Sequence, residues 1–142
     1  MSIKILILCT GNSCRSQMAE GIVKSIHPQW GIYSAGTRPE KEVNPFAIRV
    51  MKEIGIDISK HYTKSVDTFI SQSFDFVITV CDNAKETCPV FTGKVKNRLH
   101  IGFEDPAEAK GNEEEKLSVY RKVRDEIIIE FKVFYNRIKV VD

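Results

Sequence analysis

Residues 3–8, Ile-Lys-Ile-Leu-Ile-Leu, form a short apolar run that breaks directly into Cys9-Thr10-Gly11-Asn12-Ser13-Cys14-Arg15-Ser16. A run of that length reads as a strand buried on both faces, the kind found inside a parallel sheet. From residue 16 the period changes. Met18, Ala19, Ile22, Val23 and Ile26 recur at helical spacing until His27-Pro28 stops them. A buried strand that turns through a polar loop straight into a helix points to an α/β arrangement with crossover connections.

The rest of the chain continues the alternation. A short strand is expected over 31–34. A helix over 45–54 turns Ala47, Ile48, Met51 and Ile54 inward and stops at Gly55. A short helix over 66–71 precedes a strand over 74–80 that ends at Cys81, and a fourth strand lies within 96–103. Leu117, Tyr120, Val123, Arg124, Ile127, Ile128, Phe131, Phe134 and Ile138 mark one stripe of a long final helix. Asn112 and Glu115 form its capping box. The expected fold is an α/β three-layer sandwich with a four-stranded parallel sheet in the flavodoxin-like order 2-1-3-4. Strands one and three are then neighbours, and a ligand binds beyond the carboxyl ends of the strands. With 142 residues, no repeat and no linker, 1–142 reads as a single domain.

Composition narrows the chemistry. A net charge of +2 gives no reason to expect nucleic acid or an anionic membrane as partner. No apolar run approaches the ~18 residues of a spanning helix, and the start lacks a basic leader and a cleavage site. A cytoplasmic location follows as an expectation, and structural disulfides are rare there. The four cysteines, Cys9, Cys14, Cys81 and Cys88, are then metal ligands, redox groups or core thiols.

The loop after the first strand is suited to a tetrahedral oxyanion. Four cysteines and seven arginines give about 0.2 accidental Cys-x5-Arg spacings, so the spacing alone says little. The context says more. Backbone N–H groups of Thr10, Gly11, Asn12, Ser13, Cys14 and Arg15 can converge into an anion nest, and the helix that follows adds unsatisfied donors and a positive dipole end. Gly11 and Asn12 tolerate left-handed backbone. Arg15 can clamp two oxygens with its planar fork. The same field is expected to make Cys9 a thiolate at neutral pH, with a hydrogen bond from Ser16. The Cys14 side chain is expected to pack against the sheet.

CTGNSCRSQMAEG, residues 9–21, resembles the loop and first helix of the low-molecular-weight tyrosine phosphatase superfamily, and more narrowly the thioredoxin-coupled arsenate reductases. The resemblance continues through Tyr33-Ser34-Ala35-Gly36, Val43-Asn44-Pro45, Ile56-Asp57-Ile58-Ser59, Val80-Cys81, Cys88-Pro89, Gly102-Phe103-Glu104-Asp105-Pro106-Ala107 and Arg121-Lys122-Val123-Arg124-Asp125, and so covers almost the whole chain. It implies that Cys9 is the nucleophile and that Asp105 protonates the leaving oxygen. A phosphatase of the superfamily usually follows Asp-Pro with tyrosine, whereas Ala107 follows here. The reductase branch implies arsenate as substrate, with phosphate or sulfate as analogues. Its relay runs from Cys9 to Cys81 to Cys88, ending in a Cys81–Cys88 disulfide that thioredoxin reduces. No cofactor is implied, and a monomer is expected. The strand positions make the first exchange reasonable. Cys81 follows the third strand as Cys9 follows the first, adjacent strands lie about 4.8 Å apart, and a disulfide needs Cα atoms roughly 4.4–6.8 Å apart.

Some members of the family bind potassium beside the loop. Asn12, Glu20 and Ser34 match those ligands, but Lys64 stands where an aspartate would fall, so no metal is predicted. His27, His61 and His100 are scattered and read as surface or capping residues, and Trp30 as core.

Overall fold

The computed structural model describes residues 2–139. Strands β1 (Lys4–Cys9), β2 (Gly31–Gly36), β3 (Phe74–Thr79) and β4 (Val95–His100) form one parallel sheet in the order β2-β1-β3-β4. Helices α1 (Arg15–Ile26), α2 (Pro45–Lys52), α3 (Asp82–Thr87) and α4 (Glu113–Lys139) are joined by 3₁₀ turns at Val66–Thr68 and Pro106–Glu108. No helix among the described residues is long and apolar enough to cross a membrane.

Central β1 explains the apolar run. Ile5, Leu6, Ile7 and Leu8 are all fully buried. Successive residues of a strand face opposite sides, so both faces of the sheet are covered. On the Ile5 face, Phe76 of β3 meets Phe134 of α4 edge-on at 5.0 Å, and α1, α2 and α4 pack together there. On the Leu6 face, register aligns Val77 of β3 with Arg98 of β4, and α3 with the residues after it lies over them. Three layers result.

The α4 stripe is buried as its period requires, from Leu117 through Phe134, with Ile128 and Ile138 half-buried. Its charged member, Arg124, donates to the Val50 carbonyl and to Glu53, each at 2.9 Å, so the charge enters the interior already paired. The capping box is reciprocal. Glu115 N–H donates to Asn112 Oδ1 at 2.8 Å, and Asn112 N–H donates to Glu115 Oε1 at 3.2 Å.

Several boundaries differ from the sequence reading, and three of the differences bear on the packing and the site. Helix α2 ends at Lys52, and the chain leaves through a turn with Gly55 at φ +81°. Ile54 thereby loses its helical phase and is 38% exposed, while Val50 takes the inward position. The helix expected over 66–71 is only a 3₁₀ turn capped by the Ser65 hydroxyl. Strand β2 runs on to Gly36, which pairs with Cys9, and a Cβ on Gly36 would lie 2.5 Å from the Thr10 carbonyl oxygen. Only glycine lets the loop after β1 pass this close.

Candidate active site

The loop after β1 is held by its carbonyls. Those of Cys9, Thr10, Gly11 and Ser13 accept hydrogen bonds from the N–H groups of Thr37, Arg38, Glu40 and Asn44, at 2.8 to 3.2 Å. The Asn12 carbonyl accepts from Gln17 Nε2 at 3.0 Å. In a trans peptide the N–H of the next residue points opposite to the carbonyl. The N–H groups of Thr10, Gly11, Asn12, Ser13 and Cys14 therefore face inward, as an anion nest requires. Helix α1 adds its first turn without a side-chain cap and without an acidic residue, so its donors remain available to an anion.

Asn12 fixes the bend. It is the one described residue other than glycine with positive φ, at 52°. Gly11 has no positive φ, contrary to expectation. Its small size matters instead, since a Cβ there would meet the Glu40 side chain at 3.0 Å. Asn12 Nδ2 donates to Ser16 Oγ at 2.8 Å and to Ser34 Oγ at 3.0 Å, and Ser34 donates to Glu20 at 2.6 Å. Because Ser16 Oγ accepts from Asn12, its own proton is free to point at Cys9 Sγ, 2.8 Å away. The Asn12 N–H also reaches Cys9 Sγ, at 3.2 Å.

Sequence reasoning missed the support behind this bend. Fully buried Gln17 donates to Asn12 Oδ1 and to the Tyr62 carbonyl, and its Oε1 lies 3.0 Å from His61 Nδ1. His61 is thus no surface residue, and burial keeps it below its ordinary value although Glu20 pulls the other way. Lys64 gives its N–H to Asn12 Oδ1 at 2.9 Å and brings its ammonium to 3.9 Å from Glu20. Lys24 pairs with the same carboxylate at 2.7 Å. The i, i+4 spacing in α1 is a signal that could have found Glu20 with Lys24, but nothing local points to Gln17 with His61.

Two of the thiol positions adjoin. Leu8 pairs with Thr79, and the Val80 N–H donates to the Leu8 carbonyl at 2.9 Å, so Cys9, the last residue of β1, and Cys81, two residues past the end of β3, lie at the same edge of neighbouring strands. Thr10 Oγ1 lies 3.3 Å from Cys81 Sγ and donates to Asn83 Oδ1 at 3.1 Å. Cys81 is the N-cap of α3 and accepts from the Ala84 N–H at 3.4 Å. Arg15 donates to the Phe103 carbonyl at 3.1 Å and stands 3.6 Å from Asp105 Oδ2. Asp105 Oδ1 caps the turn at Ala107 N, at 3.0 Å, which leaves Oδ2 as the oxygen beside Arg15. Cys9, Cys14, Arg15, Cys81 and Asp105 all line one cavity of about 750 Å³. Arg38 borders it too, and no sequence pattern had singled it out. Cys14 is 4% exposed, and burial pushes its thiol well up. Cys88 caps the far end of α3, half-buried and outside this cavity, and all four cysteines are free thiols.

Burial opposes one expectation. Burial pushes the Cys9 thiol above its ordinary value of 9.0, and Ser16, the N–H groups of Ser16 and Asn12, and Arg15 only partly offset it. The sequence reading counted the donors but not the desolvation of a thiolate that is 2% exposed. With no anion bound, the protein should therefore carry Cys9 as a thiol at pH 7. Alkylation of Cys9 by iodoacetamide should rise about tenfold per pH unit from pH 6 to 9, since only the thiolate reacts. A plateau at or below pH 7.5 would show that the loop's donors win.

The model of the family "Low molecular weight phosphotyrosine protein phosphatase" matches residues 4–140. An arsenate reductase of Halalkalibacterium halodurans is 50% identical over 131 residues, 92% of this chain and 93% of that protein. One from Oceanobacillus iheyensis is 51% identical over 136 residues, 94% and 96% of the two chains. A solved structure described as an arsenate reductase in the phosphate binding state superposes with a TM-score of 0.80 at 30% identity, covering 96% of this chain and 98% of its own. The fold, the oxyanion loop and these matches agree: the chain belongs to the low molecular weight phosphotyrosine protein phosphatase family, on the branch that its arsenate reductase relatives form.

Proposed function

We propose that this protein reduces arsenate to arsenite by a relay of three thiols and is regenerated by thioredoxin. The observation that carries the reading is a second thiol, Cys81, in the same cavity as Cys9 and tethered to the residue that follows it. A hydrolase needs only water to release its covalent intermediate. A reductase needs a thiol there.

The chemistry begins with the protonated Cys9. Hydrogen arsenate enters the nest as a dianion and takes the Cys9 proton, so the thiolate forms opposite the arsenic it attacks. Arg15 and the loop N–H groups hold the equatorial oxygens. Asp105 Oδ2 supplies a proton as one hydroxyl leaves as water, giving a Cys9–arsenic bond. Cys81 then attacks Cys9 Sγ. The sulfur–arsenic bond pair stays with arsenic, which departs as arsenite, and Cys9 and Cys81 are left as a disulfide. Cys88 attacks Cys81, Cys9 returns as a thiolate, and the Cys81–Cys88 disulfide passes to thioredoxin.

The last exchange demands motion. Helix α3 separates Cys81 from Cys88 by about 10 Å along its axis, beyond the roughly 4.4–6.8 Å that a disulfide spans. The helix must unwind, and this would present the disulfide to a reductant. After one turnover with arsenate and no reductant, peptide mapping should find Cys81 joined to Cys88, and amides of 82–88 should exchange faster than in the reduced protein. If the four thiols remained free after incubation with arsenate, while phosphate esters were hydrolysed in a Cys9-dependent way, the phosphatase reading would replace this one.

A further inference from the structure

We infer that Arg98, on β4, activates Cys88 for its attack on the Cys9–Cys81 disulfide, making Arg98 a catalytic residue of the second thiol exchange. The inference rests on the three-thiol relay proposed above.

Register places Arg98 beside Val77 on the sheet face that α3 covers. There Arg98, Cys88, Lys85 and His100 border a cavity of about 230 Å³, separate in its lining from the one that holds the other three thiols. The guanidinium stacks over the ring of buried Phe91 at 5.4 Å, so the sheet and an aromatic platform fix its position. Its β4 neighbours already have carboxylates. Lys96 pairs with Asp75 at 3.2 Å, and His100 Nε2 lies 3.0 Å from Asp82. Among the described residues no such carboxylate pairs with Arg98, which borders the same cavity as Cys88, whose thiol donates to the Pro89 carbonyl at 3.6 Å. Burial pushes that thiol up and Arg98 pulls it down.

Of the other groups facing Cys88, Lys85 belongs to α3 and leaves when the helix unwinds. The ring of His100 is taken up at both nitrogens, by Thr79 at 2.8 Å and by Asp82. Arg98 stays with the sheet, beside the position where Cys88 gives up its proton before the opened segment carries the thiolate to Cys81. The step balances: the Cys88 thiolate forms a bond to Cys81 Sγ, the Cys9–Cys81 bond breaks, and Cys9 leaves as a thiolate that takes up the proton Cys88 released. No net oxidation occurs.

A single turnover and a steady state distinguish this role. In Arg98→Met the burst of arsenite should be unchanged, because it needs only Cys9 and Cys81. Steady-state turnover with a thioredoxin system should fall about threefold to tenfold at pH 7, since each unit of pKa removes about tenfold of thiolate while the more basic thiolate recovers part of it. The Cys9–Cys81 disulfide should accumulate, the deficit should shrink as pH rises toward 9, and Arg98→Lys should restore most of the rate. Wild-type resolution of the Cys9–Cys81 disulfide in Arg98→Met at every pH would overturn the inference. The relay is tested apart from it by Cys88→Ser: repeated turnover in that variant would overturn the relay, whereas arrest at the Cys9–Cys81 disulfide would leave it standing whatever Arg98→Met does.

Discussion

Arsenite release should fall by on the order of 10⁴-fold or more in Cys9→Ser and in Cys81→Ser alike, yet the two variants should stop at different steps. Serine at position 9 offers a hydroxyl that the loop does not ionise and that no thiol can displace from arsenic. The nest itself survives, because its donors are backbone N–H groups whose carbonyls are tied to Thr37, Arg38, Glu40 and Asn44. Phosphate should therefore still bind to Cys9→Ser. In Cys81→Ser the arsenic bond forms and reverts, with no thiol to carry off the oxidation. Hydrolysis of p-nitrophenyl phosphate, which needs Cys9 but not Cys81, should persist at the wild-type level in Cys81→Ser and vanish in Cys9→Ser. Wild-type arsenite release from Cys81→Ser would remove Cys81 from the reaction.

Arg15→Lys should be the next most damaging change, lowering kcat/KM for arsenate by roughly 10²–10³-fold. Lysine keeps the positive charge but not the planar fork that addresses two oxygens at once. The guanidinium is also placed before substrate arrives, by the Phe103 carbonyl at 3.1 Å and by Asp105 at 3.6 Å. A single ammonium cannot hold both contacts and an oxyanion together. Because Arg15 tethers the stretch that carries Asp105, the proposed general acid, the variant should weaken phosphate binding and slow the chemical step at once. A change smaller than about fivefold would mean that the loop N–H groups alone hold the anion and that Arg15 serves only the tether.

Short-range signals carried much of this structure. The run ending at Leu8, the period of α4 and the Asn112–Glu115 box are local patterns, and each has its counterpart in the structure, with the first strand shifted by one residue to Lys4–Cys9. The adjacency of Cys9 and Cys81 followed from topology, since order 2-1-3-4 makes β1 and β3 neighbours. What stayed hidden depends on pairs far apart in the chain. Gln17 meets His61 across 44 positions, and Arg15 meets Phe103 across 88. No periodicity encodes such a contact. The desolvation of Cys9 is left out of the sequence reading for a different reason. Donors can be counted from a loop sequence, but the water lost around a sulfur depends on everything packed over it.

The outward-tied carbonyls of the loop have a consequence for discrimination. A cradle of peptide N–H groups registers negative charge and tetrahedral outline, and it does so equally for any central atom of suitable size. Phosphate, abundant wherever cells grow, should occupy it as readily as arsenate and act as a standing competitor. The choice between the two then falls after capture, to chemistry that only arsenic permits: acceptance of an electron pair from a sulfur that a second sulfur is attacking. Under this reading the protein excludes phosphate by leaving it unreacted, and the arsenate concentration needed for half-maximal rate should climb in proportion to the phosphate around it.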